Sequence, residues 1–151
     1  MASNGARRRV AVRAGLVCAV VVALDQLTKH TLGTWIRPGQ VRHVLPGLTL
    51  VYERNRGVAF SFLAGTGALV YVITALVLIA LVTFLLRRPQ RRLLWLPTGM
   101  LVGGAIGNLI DRIAGGSVID FIKLPHWPAF NIADTCITFG VIILVLVIDR
   151  G

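Results

Sequence analysis

The chain contains six acidic residues: Asp25, Glu53, Asp111, Asp120, Asp134 and Asp149. Two of them bracket a Pro- and Trp-containing link in the stretch SVIDFIKLPHWPAFNIADTCITFG, residues 117–140. Only 13 residues separate Asp120 from Asp134, so the chain folds back easily and can bring the two carboxyls together. Carboxyls held close cannot both ionise cheaply, and such a pair shares one proton. The ionised member can then activate water while the protonated member polarises a carbonyl. That is the chemistry of an aspartic protease, and it asks for no metal and no cofactor.

Other assignments compete for the same residues. Asn131 is a good N-cap, and Asp134 three positions later completes a pattern like a capping box, so Asp134 could simply meet the positive end of a helix. That reading leaves Asp120 unexplained. Ser61 and Ser117 lack a Gly-x-Ser-x-Gly context, and His30, His43 and His126 are scattered without metal-ligand spacing. Cys18 and Cys136 lie in apolar segments with no CxxC partner, as small buried hydrophobes do. In GGAIGNLIDRI, Gly104, Asn108 and Asp111 recur at i, i+4 and i+7 and share one helix face. Gly103 and Gly107 form a small-xxx-small pair that admits a neighbouring helix. Asn108 is spaced to reach Asp111 and Arg112, so a packing face ending in an Asp–Arg pair is also open.

These residues need elements to hold them, and the elements are hydrophobic. The chain is 56% hydrophobic with a mean hydropathy of +0.78. Residues 68–86 carry no charge over roughly the 20 residues that cross a bilayer core. Residues 93–112 and 132–148 supply two further spans, and 12–31 a fourth if the helix continues through Asp25 and Gln26. The reading is one membrane-embedded domain over residues 1–151: four transmembrane helices with a small β element. A net charge of +10 invites a nucleic-acid reading. The arginines argue against it, because Arg7, Arg8, Arg9 and Arg13 precede the first span and Arg87, Arg88, Arg91 and Arg92 lie between the second and third. By the positive-inside rule both termini are cytoplasmic. A cleaved signal peptide is the competing reading of the N-terminus, but Asp25, Gln26 and Lys29 follow where an A-x-A site would stand.

The segment 32–67 then faces outward. LTLVYE at 48–53 is rich in β-formers after a Pro46–Gly47 turn, and RNRGVAFSFLAG after it suits an amphipathic stretch resting on the outer leaflet. In this topology Asp25, Asp111 and Asp134 all fall at the outward ends of their helices, and Asp120 lies on the outward link. Ionised groups are costly at membrane depth and mark function by default. A proton-coupled transporter would need acids at several depths, including mid-bilayer. A structural subunit whose aspartates only cap and pair helices would tolerate Asn at positions 120 and 134.

Five blocks, DQLTK (25–29), NRGVAFS (55–61), GGAIGNLIDR (103–112), GSVIDF (116–121) and FNIAD (130–134), together resemble the lipoprotein signal peptidase, or signal peptidase II, family. The resemblance covers about residues 25–140. It implies a bacterial inner-membrane aspartic endopeptidase with four transmembrane helices, an extracytoplasmic β-cradle and an interfacial amphipathic helix. The implied substrate is a diacylglyceryl prolipoprotein, cut immediately before its lipidated cysteine, with membrane lipid around the site. The implied inhibitor class is that of globomycin. By the same resemblance the catalytic pair is Asp120 and Asp134. Asn55, Asn108, Asp111, Arg112 and Asn131 match supporting or substrate-binding positions, and Asp25 and Lys29 match a first-helix motif that is structural or substrate-positioning. Arg56 and Val58 depart from the common Thr and Ala of the second block.

Overall fold

The computed structural model describes residues 4–56, 67–88 and 93–149. Four helices carry the chain: α1 (Asn4–Trp35), α2 (Gly67–Arg87), α3 (Trp95–Gly115) and α4 (Ile132–Asp149). Three strands, β1 (Val41–Leu45), β2 (Leu48–Asn55) and β3 (Val118–Lys123), form one antiparallel sheet in the order β1-β2-β3. The helices stand where hydropathy places them, with shifted ends. α1 is the largest departure, because the arginine-bearing residues before its apolar stretch continue the helix down to Asn4. α3 runs three residues past Arg112 and stops at Gly116, whose φ of 67° and N–H to the Arg112 carbonyl close the helix with a left-handed residue.

The interfacial stretch expected at 54–65 lies mainly outside the described residues, which resume at Gly67. Among the described residues, α1 and α4 are long and apolar enough to cross a membrane, with mean hydropathies of 1.9 and 2.3 over their best windows. α2 contributes a shorter apolar run over Ala75–Arg87. Four helices stand where four spans were expected, and two of them, α1 and α4, pass on length and hydropathy. α3 spends its length otherwise: its glycines and its inward Asn108 and Asp111 lower the average, although Ile110 and Ile113 are exposed.

α3 is the axis on which the other helices pack. A Cβ on Gly103 would lie 2.8 Å from the Val21 Cβ, and one on Gly104 would lie 2.6 Å from the Ala133 carbonyl oxygen. Successive glycines therefore face α1 and α4 respectively, and both backbones approach as small-residue interfaces allow. At the end of the bundle nearest the N-terminus, Val10, Ala14, Leu85 and Leu94 are buried together against Phe84, Trp95, Leu144 and Val147. The opposite end is polar, and the sheet meets it there. β2 pairs with β3 so that Glu53 opposes Asp120 and Asn55 opposes Val118. The Pro–Trp link then returns to its own strand. Phe130 bridges Ile122, donating to the Ile122 carbonyl at 2.9 Å and accepting from the Ile122 N–H at 2.9 Å. This closes 123–129 into a loop and delivers Asn131 to the start of α4 beside Asp120.

Candidate active site

Asp120 sits in the middle of β3, where alternation turns its side chain inward, and it is 2% exposed. Its two carboxyl oxygens each accept an amide hydrogen. Asn55 Nδ2 donates to Oδ2 at 3.0 Å, and Asn131 Nδ2 donates to Oδ1 at 2.8 Å. Burial, the largest influence, pushes the carboxyl up from 3.8 to about 6. The Asn55 bond acts against this rise, the charge of Asp134 adds to it, and Asn131 and Lys29 oppose it. Asp120 therefore takes up a proton closer to neutrality than an ordinary carboxyl does.

Asp134 enters from α4. The Asn131 side-chain oxygen accepts the Asp134 backbone N–H at 2.8 Å, so the N-cap anticipated from sequence is present. The other half of the capping box is replaced. The Asp134 carboxylate takes a hydrogen from Asn108 Nδ2 at 2.8 Å through its Oδ1. Asn108 was expected to reach along its own helix to Asp111 and Arg112; it reaches across to α4 instead. Its oxygen accepts from Asn131 Nδ2 at 3.1 Å and from Lys29 Nζ at 3.3 Å. Asn131 thus touches both aspartates, holding the carboxylate of one and the backbone of the other.

Beneath the pair lies a buried ionic group. Lys29 Nζ is 2.7 Å from Asp25 Oδ2 and 2.7 Å from Asp111 Oδ2. Asp25 Oδ1 accepts the Ala133 N–H at 2.9 Å, and Asp111 Oδ2 accepts the Ile119 N–H at 3.0 Å. Gln26 was missed as a site residue. It donates to Asp111 Oδ1 at 3.0 Å and to the Gly107 carbonyl at 3.2 Å, and its place inside the polar 25–29 block was the available signal. No buried side-chain nitrogen or oxygen among the described residues lacks a hydrogen-bond partner.

Of the nine candidates, eight therefore join one connected network: Asp120, Asp134, Asn55, Asn108, Asn131, Asp25, Lys29 and Asp111. Arg112 does not join it. It follows Asp111 by one residue, about 100° around the helix, and is half-buried without a side-chain hydrogen bond or ion pair among the described residues. His30 is exposed on α1, and the described residues contain no group of three His, Cys, Asp or Glu that could hold a metal ion. A cleft of about 430 Å³ opens beside the ionic group, with Gln26, His30, Tyr52 and Arg54 among its walls; neither Asp120 nor Asp134 lines it.

Comparison with known proteins meets this geometry. The signal peptidase (SPase) II family model matches residues 17–149. The chain belongs to the signal peptidase II family. A lipoprotein signal peptidase of Syntrophomonas wolfei is 42% identical over 134 residues, covering 87% of this chain and 90% of the relative. One from Staphylococcus aureus strain JH9 is 38% identical over 137 residues, covering 87% and 84% respectively. Among solved structures, a bacterial membrane enzyme determined by the in meso method at 1.9 Å superposes with a TM-score of 0.82 and 36% identity, over 89% of this chain and 91% of that one. In this signal peptidase II family member the matched region contains every residue of the network.

Proposed function

We propose that this chain is an intramembrane aspartic endopeptidase that removes the signal peptide from diacylglyceryl prolipoproteins, cutting immediately before the lipidated cysteine. The observation that carries the reading is Asn131, which donates to the Asp120 carboxylate at 2.8 Å while its oxygen holds the Asp134 N–H at 2.8 Å. Two aspartates tied to one side chain, Asp120 by its carboxylate and Asp134 by its backbone N–H, are held as a unit, which helix capping alone does not require. Family membership and relatives with the name lipoprotein signal peptidase supply the substrate class.

Asp120, pushed up to about 6, is the member that holds the shared proton. Asp134, at the third position of α4 and near its positive end, is the ionised member. Its Oδ1 is occupied by Asn108. Oδ2 takes a proton from water as the water oxygen bonds to the scissile carbonyl carbon. Asp120 passes its proton to the carbonyl oxygen. The tetrahedral species then collapses: the oxygen returns its proton to Asp120, the C–N bond breaks and the nitrogen leaves with the proton from Asp134. Positioned acid–base groups of this kind contribute about 10²–10⁴-fold each.

The reading sets the dyad at the extracytoplasmic membrane surface, with four crossings and cytoplasmic termini, level with an acylated substrate. Concentration of the acids at one end of the bundle favours a site over a proton path. The test incubates purified protein in detergent or lipid with a diacylglyceryl prolipoprotein and follows the gel shift. Wild type cleaves; Asp120→Asn and Asp134→Asn, folded by circular dichroism, do not. An unlipidated prolipoprotein is cut poorly, and a globomycin-type cyclic peptide blocks the reaction. Cleavage that survives either Asn substitution removes the dyad.

A further inference from the structure

The buried group beneath the dyad is arranged with a symmetry that helix packing alone does not call for. Lys29 is 3% exposed and lies 2.7 Å from each of two carboxylates, Asp25 on its own helix and Asp111 on α3. Each carboxylate spends a further oxygen contact on a backbone N–H. Asp25 holds the N–H of Ala133, the residue before Asp134; Asp111 holds the N–H of Ile119, the residue before Asp120. The third contact of the ammonium is Asn108 Oδ1, at 3.3 Å, and the Asn108 amide is the donor to Asp134.

We infer that Lys29 is a positioning residue for the catalytic pair: one buried cation, through the arms Asp25 and Asp111, sets the separation of Asp120 and Asp134 and turns the Asn108 amide towards Asp134. The inference rests on the dyad reading above. The physical case has three parts. An ammonium has three hydrogens and no acceptor; it hydrogen-bonds Asp25 and Asn108 and pairs with Asp111, so three groups fix its position. Lys29, together with the Asn131 amide at 3.1 Å, donates to the Asn108 oxygen, which leaves the Asn108 NH2 to face Asp134; without the cation only the Asn131 donor opposes turning the amide over to present oxygen to a carboxylate. Finally, α4 and β3 belong to different layers joined by a loop, and no hydrogen bond between their own backbones fixes the distance from Ala133 to Ile119; the Asn131 side chain, which reaches the Ile119 carbonyl at 3.2 Å, ties them on one side and the ionic group on the other. The path from Ala133 through Asp25, Lys29 and Asp111 to Ile119 consists of short, charge-assisted contacts in a water-poor site.

The group carries a net charge of −1, from two carboxylates and one ammonium. Lys29→Met would leave two buried anions together and endanger the fold. The informative variant is Lys29→Met with Asp111→Asn, which keeps that net charge and breaks the bridge. Gel-shift kinetics with a diacylglyceryl prolipoprotein in detergent, on protein whose folded fraction is measured by near-UV circular dichroism, give kcat and KM separately. The expected result is a folded enzyme with KM within about threefold and kcat lower by about 100-fold, the loss that roughly 1 Å of misplacement costs. The midpoint of its pH–rate profile should rise as well, because the Lys29 charge that lowers Asp120 is gone, so kcat per folded molecule is the readout that decides. A role confined to stability would lower the folded fraction but leave kcat per folded molecule unchanged, and that result overturns the inference. If the double variant does not fold, Asp111→Asn alone decides: it releases only the β3 arm, and an unchanged kcat and pH midpoint overturn the inference as well. Both measurements assume a wild type that cleaves and an Asp120→Asn variant that does not; failure of those controls strikes the dyad reading instead.

Discussion

The two ends of the helix bundle are built on opposite principles. At one end Val10, Ala14, Leu85 and Leu94 pack with Phe84 and Trp95, and no single contact is irreplaceable. At the other, Asp25, Lys29, Asn108, Asp111, Asp120 and Asn131 are all buried, and each is named by its hydrogen bonds. Lipid is as apolar as leucine, so burying leucine between helices gains packing but little transfer free energy. Burying a charge is different, because an unpaired one costs several kcal/mol and the network must be complete to exist. The apolar end is held by packing alone, the polar end by directional bonds. A catalytic pair needs the second kind of surroundings.

This contrast can be broken most severely at its charged centre. Lys29→Met leaves two carboxylates unpaired, and should destabilise the fold by about 3–5 kcal/mol; denaturant unfolding in detergent measures it. At the apolar end Leu94→Ala should cost less, about 1–3 kcal/mol, because the cavity remains but much of the transfer penalty disappears in lipid. Its cleavage rate per folded molecule should match wild type. Equal activity losses for the two variants would dissolve the distinction between the ends.

Finer effects are readable in pH. Removing the Asn55 donor by Asn55→Ala should raise the Asp120 midpoint above about 6, since that bond opposes the rise. Asp134→Asn should lower it, because the neighbouring charge is gone. Isotope-edited infrared titration of the carboxyl follows both. Stability carries the same sign: with the folded value above the usual 3.8, the native state binds the extra proton, so stability falls as pH rises from about 4 through about 6. Asp120→Asn should flatten that part of the curve. The smallest effect lies back at the apolar end, where the Arg13 guanidinium stands 5.8 Å from the Trp95 ring. Arg13→Ala should cost about 0.5–1 kcal/mol and leave cleavage unchanged.

Several features were legible without coordinates because they depend on residue type and local spacing. Helix positions follow from uncharged runs of span length. The Asn131 cap follows from an i to i+3 relation, and β2 from a short β-rich run after a Pro–Gly turn. The catalytic candidates stood out because a carboxylate in an apolar sequence is expensive wherever it points. Local spacing misled where the true partner was distant. Asn108 was matched to Asp111 and Arg112 on its own helix, but its amide bonds Asp134, 26 residues away. Arg112 shares a block with Asp111 yet points out of the cluster. Gln26 looked like one more polar residue in α1, and its partner on α3 lies 85 positions along the chain.

The sequence by itself therefore determined which groups are available and the elements that carry them, because helix period, capping and hydropathy act over a few residues. Only the tertiary structure decided which oxygen meets which nitrogen. Asp25 caps the first turn of α4 from 108 residues away, and that contact depends on how closely glycine-lined helices approach. Directional bonds of about 3 Å are set by packing of backbones, and no one-dimensional spacing encodes that distance.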